Sequence, residues 1–228
     1  MNVSIENKLI WLSPERTAGR FLSEIFKNYG FCSCDIKNKY DLKPLGENPP
    51  SHGNTIPENF NDFRIIVSIR NPYDRVWSYY VNHFAKNFKP REIEHNFEKF
   101  NEFVQNIFIK TVGSTRTDPF FPGDDYFNKW RLNNIKIDKL IRFENLQNDV
   151  LSLDFIKKSP NLFDHSIFSD KRFINKRFLS FDTMYDLSSA QKVFNFYKNH
   201  FFSLGYDPFS FTKENLTDEQ KIDFIHGN

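Results

Sequence analysis

Hydrophobic and polar positions alternate along this chain in two rhythms. Leu9–Leu12 is a short apolar run that predicts a buried strand, ended by Ser13-Pro14. From Ala18 onward the apolar residues fall at Phe21, Leu22, Ile25, Phe26 and Tyr29, the spacing of one helix face, and Gly30 follows as a C-terminal stop. Arg64–Ile69 is the clearest strand, because Ile65, Ile66, Val67 and Ile69 form the near-continuous run of a strand buried on both faces. Asn71-Pro72 opens a second helix, with Val76, Tyr79, Tyr80 and Phe84 on its buried side.

Later segments repeat the pattern. Residues 92–111 predict an amphipathic helix built on Phe97, Phe100, Phe103, Val104, Ile107 and Phe108. Lys139–Phe143 predicts a strand leading into a helix from about Glu144 to Lys157, and a long helix from about Tyr185 to Leu204 is closed by Gly205. Residues 37–62, rich in Asn, Pro and Gly, read as an irregular connection, and residues 165–182 as a polar, basic one. Alternating strands and helices predict an α/β fold: one domain over residues 1–228 with a central parallel sheet flanked by helices.

Composition narrows the partners. A net charge of +2 is too balanced for a nucleic-acid coat, so any bound anion must be held by a local cluster. Hydrophobic residues at 39% and charged residues at 26% fit a folded globular chain and exclude a disordered one. No signal peptide or membrane-spanning stretch is apparent, and a cytoplasmic protein that does not enter a membrane is expected. Cys32 and Cys34 are too few for a disulfide framework or a four-ligand zinc site and read as free thiols of a reducing compartment.

Two strand–loop–helix units place basic residues at the carboxyl end of a strand, where ligands of open α/β sheets bind. In the first, Pro14-Glu15-Arg16-Thr17-Ala18-Gly19-Arg20, small residues at Ala18 and Gly19 allow close approach of an anion, and the helix that follows directs N–H groups toward it. In the second, Arg70 leaves its strand and Ser78 follows on the second turn of the next helix; a guanidinium fork with a nearby hydroxyl suits a terminal phosphate. Arg75 reads as a surface residue or a partner for a helix carboxylate. Glu144 reads as a structural carboxylate at a helix start. His83, His95 and His200 lie within predicted helices as packing or surface residues, and the basic residues Lys171-Arg172 and Lys176-Arg177 as a solvated face.

These residues resemble a family. "PERTAGRF" and "IRNPYDRVWSYY" are similar to the two elements with which sulfotransferases, especially the carbohydrate type, bind 3′-phosphoadenosine 5′-phosphosulfate (PAPS). "LIRFENLQNDV" and "VFNFYKNHFFSLGYDP" resemble the same family's later strand and closing helix, so the likeness spans nearly the whole chain. The resemblance implies a P-loop-like fold in which Thr17, Ala18, Gly19, Arg20 and Phe21 wrap the 5′-phosphosulfate, chiefly through backbone N–H groups. It implies that Arg70 and Ser78 hold the 3′-phosphate and that Arg177 belongs to a late loop closing over the nucleotide. Arg16 falls where the family has a lysine that neutralises the leaving oxygen, and Arg20 where a hydroxyl residue is usual; both are departures.

The implied reaction moves a sulfuryl group from PAPS to the hydroxyl of a carbohydrate or small molecule, without a metal. A general base is needed; His52 in "PPSHGNT" is the candidate between the two elements, with Glu47 and Glu58 in reserve. Two other classes stay open. A P-loop nucleotide kinase or hydrolase would require Gly-Lys-Ser/Thr in the loop and an acidic strand end for magnesium, neither of which stands here. A non-catalytic relative would keep the nucleotide pocket, or only the fold.

Overall fold

Six strands form one mixed sheet in the computed structural model, which describes residues 2–14, 16–35, 41–45, 60–83, 97–108, 136–170 and 180–226. The strands are β1 (Asn2–Ser4), β2 (Leu9–Leu12), β3 (Cys32–Asp35), β4 (Asp41–Pro44), β5 (Arg64–Ile69) and β6 (Lys139–Arg142), in the order β4-β3-β1-β2-β5-β6. The chain is α/β with helices flanking this sheet, as the periodicity predicts. The sheet is parallel, however, only across β2, β5 and β6; β1 runs antiparallel to both β2 and β3, and β3 antiparallel to β4.

The physical reason lies in the connections. Four residues, Ile5–Lys8, join β1 to β2, too few for the crossover that parallel neighbours require. β1 carries no apolar run because two of its three residues are polar. Both are nevertheless fully buried, and each is satisfied: Asn2 Nδ2 donates to Trp11 O at 3.1 Å and Ser4 Oγ to Tyr29 O at 3.2 Å. β4 falls inside the connection expected to be irregular. It is an edge strand, the one place where Pro44 costs no ladder hydrogen bond.

The chain divides into two compact units, Met1–Arg70 with Lys129–Asn175 and Asn71–Asn128 with Lys176–Asn228. The first unit holds the sheet and the helices α1 (Gly19–Phe26), α4 (Leu146–Leu151) and α5 (Asp154–Lys158). One sheet face, Leu9, Trp11, Ile66 and Ile141, packs with Phe21, Leu22, Ile25 and Phe26 of α1 and with Val150, Phe155 and Ile156. Phe26 lies at its centre, edge-on to Trp11 at 4.9 Å between ring centroids and stacked on Phe31 at 4.9 Å. The helix expected over 144–157 is broken in two. Leu153 takes an extended backbone to bury its side chain, and Ser152 Oγ donates to Asp149 O, ending α4.

The second unit is helical: α2 (Pro72–His83), α3 (Phe97–Phe103, continued as a π turn to Phe108), α6 (Leu187–Leu204) and α7 (Asp218–His226). Asn71 caps α2 by accepting from Tyr73 N at 2.9 Å, with Pro72 in the first helical position as expected. Asp186 caps α6 by accepting from Ser189 N, and Gly205 ends it at φ 69°. α7 has no counterpart in the hydrophobic periodicity, yet its start is written in the sequence. Thr217 and Gln220 form a capping box, each side chain accepting from the other's backbone N–H.

The core of this unit is aromatic, and two of its buried phenols bond the backbone. Tyr73 Oη donates to Pro208 O and Tyr185 Oη to Tyr73 O, both at 2.8 Å, with the two rings edge-on. Tyr185, expected to begin α6, precedes it and serves as this anchor. Burial raises both phenols well above the ordinary value of 10.0. Their neutral form therefore stabilises the fold fully at neutral pH. That contribution is lost as pH rises past about 10, where the unfolded chain ionises and the folded one resists.

Tyr185→Phe is expected to cost about 1 kcal/mol, read as a lower urea midpoint at pH 7 with an unchanged slope. The fall in stability between pH 9 and 11 should be shallower in Tyr185→Phe than in the parent protein.

Candidate functional site

Parallel pairing of β2 with β5, Leu9↔Arg64 through Leu12↔Val67, ends both strands at the same edge of the sheet. The turn after β2 and Arg70 after β5 therefore meet, although they lie far apart in sequence. Arg70 Nη1 donates to Arg16 O at 3.0 Å, and its guanidinium lies over the Phe143 ring, 3.8 Å from the centroid. Phe143 is delivered by β6, whose register pairs Arg142 with Ile69. Arg70 is only 5% exposed, so the cation–π contact and the hydrogen bond operate with little competition from water.

The turn has an uncommon backbone. Arg16 (φ 66°) and Ala18 (φ 68°) both occupy the left-handed region, which costs a residue with a Cβ about 1–2 kcal/mol. Ala18 is the residue before α1, and it has no side-chain oxygen with which to cap the amides of Gly19, Arg20 and Phe21. The first helical bond runs from Leu22 N to Ala18 O at 3.0 Å. Arg20 is exposed on the first turn of α1 and Arg16 is half-buried.

Thr17 is 2% exposed, and its hydroxyl faces inward. Thr17 Oγ1 donates to Pro14 O at 2.6 Å, and Ser68 Oγ lies 2.9 Å from Thr17 Oγ1. Pro14 O can only accept, so the one hydroxyl proton of Thr17 goes there, and Ser68 must be the donor to Thr17. Ser68 Oγ in turn receives Trp11 Nε1–H at 3.4 Å. The result is a directed chain from sheet to loop, Trp11 to Ser68 to Thr17 to Pro14. Phe21 also turns inward, packing its ring on Phe168 at 5.5 Å within the core. From Thr17 and Phe21, then, the loop can offer a ligand backbone N–H groups rather than these two side chains.

Ser78 lies in the second unit on α2, 1% exposed, with its carbonyl accepting from Asn82 Nδ2 at 2.7 Å. Arg75, read as a surface residue or a partner for a helix carboxylate, is 5% exposed, which corrects the first of these readings. Glu144 is exposed, in a short 3-10 turn before α4. The end of β6 is secured by a second carboxylate, Asp149. It accepts from Arg142 N at 2.7 Å and from Asn145 Nδ2 at 2.8 Å. The spacing from Asn145 to Asp149, one helical turn, is the signal that could have found it. His52, Glu47, Glu58 and Arg177 lie outside the described residues, as do Glu15, Phe84 and His95.

Among the described residues no three His, Cys, Asp or Glu side chains are grouped to hold a metal ion, and no helix is long and apolar enough to cross a membrane. Comparison with known protein families, curated proteins and solved structures finds no match.

Ala18→Gly removes the Cβ penalty at φ 68° but adds backbone entropy to the unfolded chain. The net expectation is a gain of about 0.5–1 kcal/mol, read as a raised urea midpoint.

Proposed function

We propose that the chain transfers a sulfuryl group from PAPS to an acceptor hydroxyl on a carbohydrate or small molecule. One observation carries the reading: the Arg70 guanidinium reaches the Arg16 carbonyl at 3.0 Å, uniting at one sheet edge the two basic elements whose sequences resemble a PAPS site. In this reading the turn after β2 is a P-loop-like element. The amides of Gly19, Arg20 and Phe21 at the start of α1 hold the 5′-phosphosulfate, with Arg20 adding charge from the helix's first turn. Arg16 sits beside the departing 5′-phosphate and neutralises the negative charge that grows on the bridging oxygen as the S–O bond breaks. Arg70 holds the 3′-phosphate, turning a guanidinium edge to it from its place on Phe143.

The acceptor oxygen forms the new S–O bond in line with the one that breaks, and its proton passes to a general base, for which His52 stands first. The desulfated product is adenosine 3′,5′-bisphosphate. Nothing in the proposed transfer requires a metal, and the thiols of Cys32 and Cys34, which form no disulfide, are compatible with a cytoplasmic setting.

Turnover of labelled PAPS against pooled glycans and small alcohols tests the activity directly. Calorimetry should show adenosine 3′,5′-bisphosphate binding far more tightly than AMP. Arg70→Ala should weaken the bisphosphate by roughly 10- to 150-fold, the worth of a charge-assisted hydrogen bond. Equal affinity for the two nucleotides would remove the 3′-phosphate site, and bisphosphate binding without any turnover would favour a non-catalytic relative.

A further inference from the structure

We propose that Ser68 and Thr17 are positioning residues for the anion loop, acting through the buried hydroxyl chain that begins at Trp11 Nε1 and ends on Pro14 O. The inference rests on the PAPS reading of this loop and assigns to Ser68, which no motif marks, a part in nucleotide affinity. Ser68 is the only polar residue within the run Ile65–Ile69, and it is 0% exposed on the face of the sheet that α1 covers. A buried serine inside a central strand replaces hydrophobic contact with a group that must be satisfied. It is satisfied by two partners, one on each side: it receives Trp11 Nε1–H and gives its own proton to Thr17 Oγ1.

The consequence falls on the turn. Two residues with a Cβ hold left-handed backbones there, a conformation that reverts unless its surroundings enforce it. Thr17 sits between them, and its hydroxyl is tied at both ends, to the sheet through Ser68 and to the start of the turn through Pro14 O at 2.6 Å. The amides that follow, those of Gly19, Arg20 and Phe21, are thereby presented in one arrangement before an anion arrives, so binding need not order them. Because the chain is directed, removing any hydroxyl leaves a buried partner unsatisfied, and the links act as a unit.

The test joins two measurements on the full chain, amide hydrogen exchange of residues 17–22 and calorimetric titration with adenosine 3′,5′-bisphosphate, in the parent, Thr17→Val, Ser68→Ala, the double variant and Thr17→Ser. Thr17→Val and Ser68→Ala should each speed exchange at 17–22 while β1 and α6 keep parental protection. Each should also weaken the nucleotide by roughly 5- to 30-fold. The double variant should bind little worse than either single one, and Thr17→Ser, which keeps the hydroxyl, should recover most of the loss. A general loss of stability would instead raise exchange everywhere, without rescue by serine, and would overturn the positioning role. Thr17→Val binding the nucleotide as well as the parent also overturns it. A parent protein that does not bind the bisphosphate overturns the PAPS reading itself, an outcome distinct from both.

Discussion

The in-register parallel pairing of β2 with β5 is the constraint on which the candidate site depends. Two adjacent strands running the same way must release their chains at the same edge, so the turn after Leu12 and the residue after Ile69 become neighbours without any contact between them in sequence. β6 extends the same logic by one strand, placing Phe143 where it can carry the Arg70 guanidinium. Had β5 paired antiparallel, Arg70 would lie at the opposite edge from Arg16, and no side-chain chemistry could restore the site. The mixed remainder of the sheet, β1, β3 and β4, extends the sheet on the far side of β2 and leaves this edge untouched.

A loop meant to approach an anion closely usually spends glycines to reach left-handed backbone. This chain has only 8 glycines and 28 phenylalanines, and at Arg16 and Ala18 it reaches that backbone with residues that resist it. The resistance is offset by tertiary contacts: the Arg70 hydrogen bond on Arg16 O and the hydroxyl chain through Ser68 and Thr17. A loop held in this way is stiff, and stiffness before binding is what an anion site gains from it. The phenylalanines have a separate explanation. Each unit builds its core on edge-on and stacked rings, around Phe26 in the first and around Tyr73, Phe100 and Phe201 in the second, so aromatic area replaces the branched aliphatics of many α/β cores.

Buried polar groups give both units their uniqueness. Asn2, Ser4, Ser68 and Thr17 in the first, and Asn71, Tyr73, Asn101 and Tyr185 in the second, each reach a specific partner. An alternative packing would strand them in a low-dielectric interior, at about 1–3 kcal/mol apiece. Rings alone would tolerate several arrangements; the hydrogen bonds select one.

Local chemistry was legible in the sequence alone. The strand Arg64–Ile69, the helix after Ala18, the Asn71-Pro72 start and the Gly205 stop follow from periodicity and capping, which depend on residues within a turn or two of one another. The basic residues at two strand ends were equally plain. Tertiary structure decided the rest because the deciding partners are remote. Asn2 and Ser4 make a strand only by bonding Trp11 and Tyr29, β4 exists only as an edge for β3, and Arg75 looks solvent-facing until the fold buries it. Thr17 shows the difference most sharply. Its sequence neighbours place it in an anion-binding loop, but Ser68, brought alongside by a strand pairing that no local pattern encodes, ties its hydroxyl into the core.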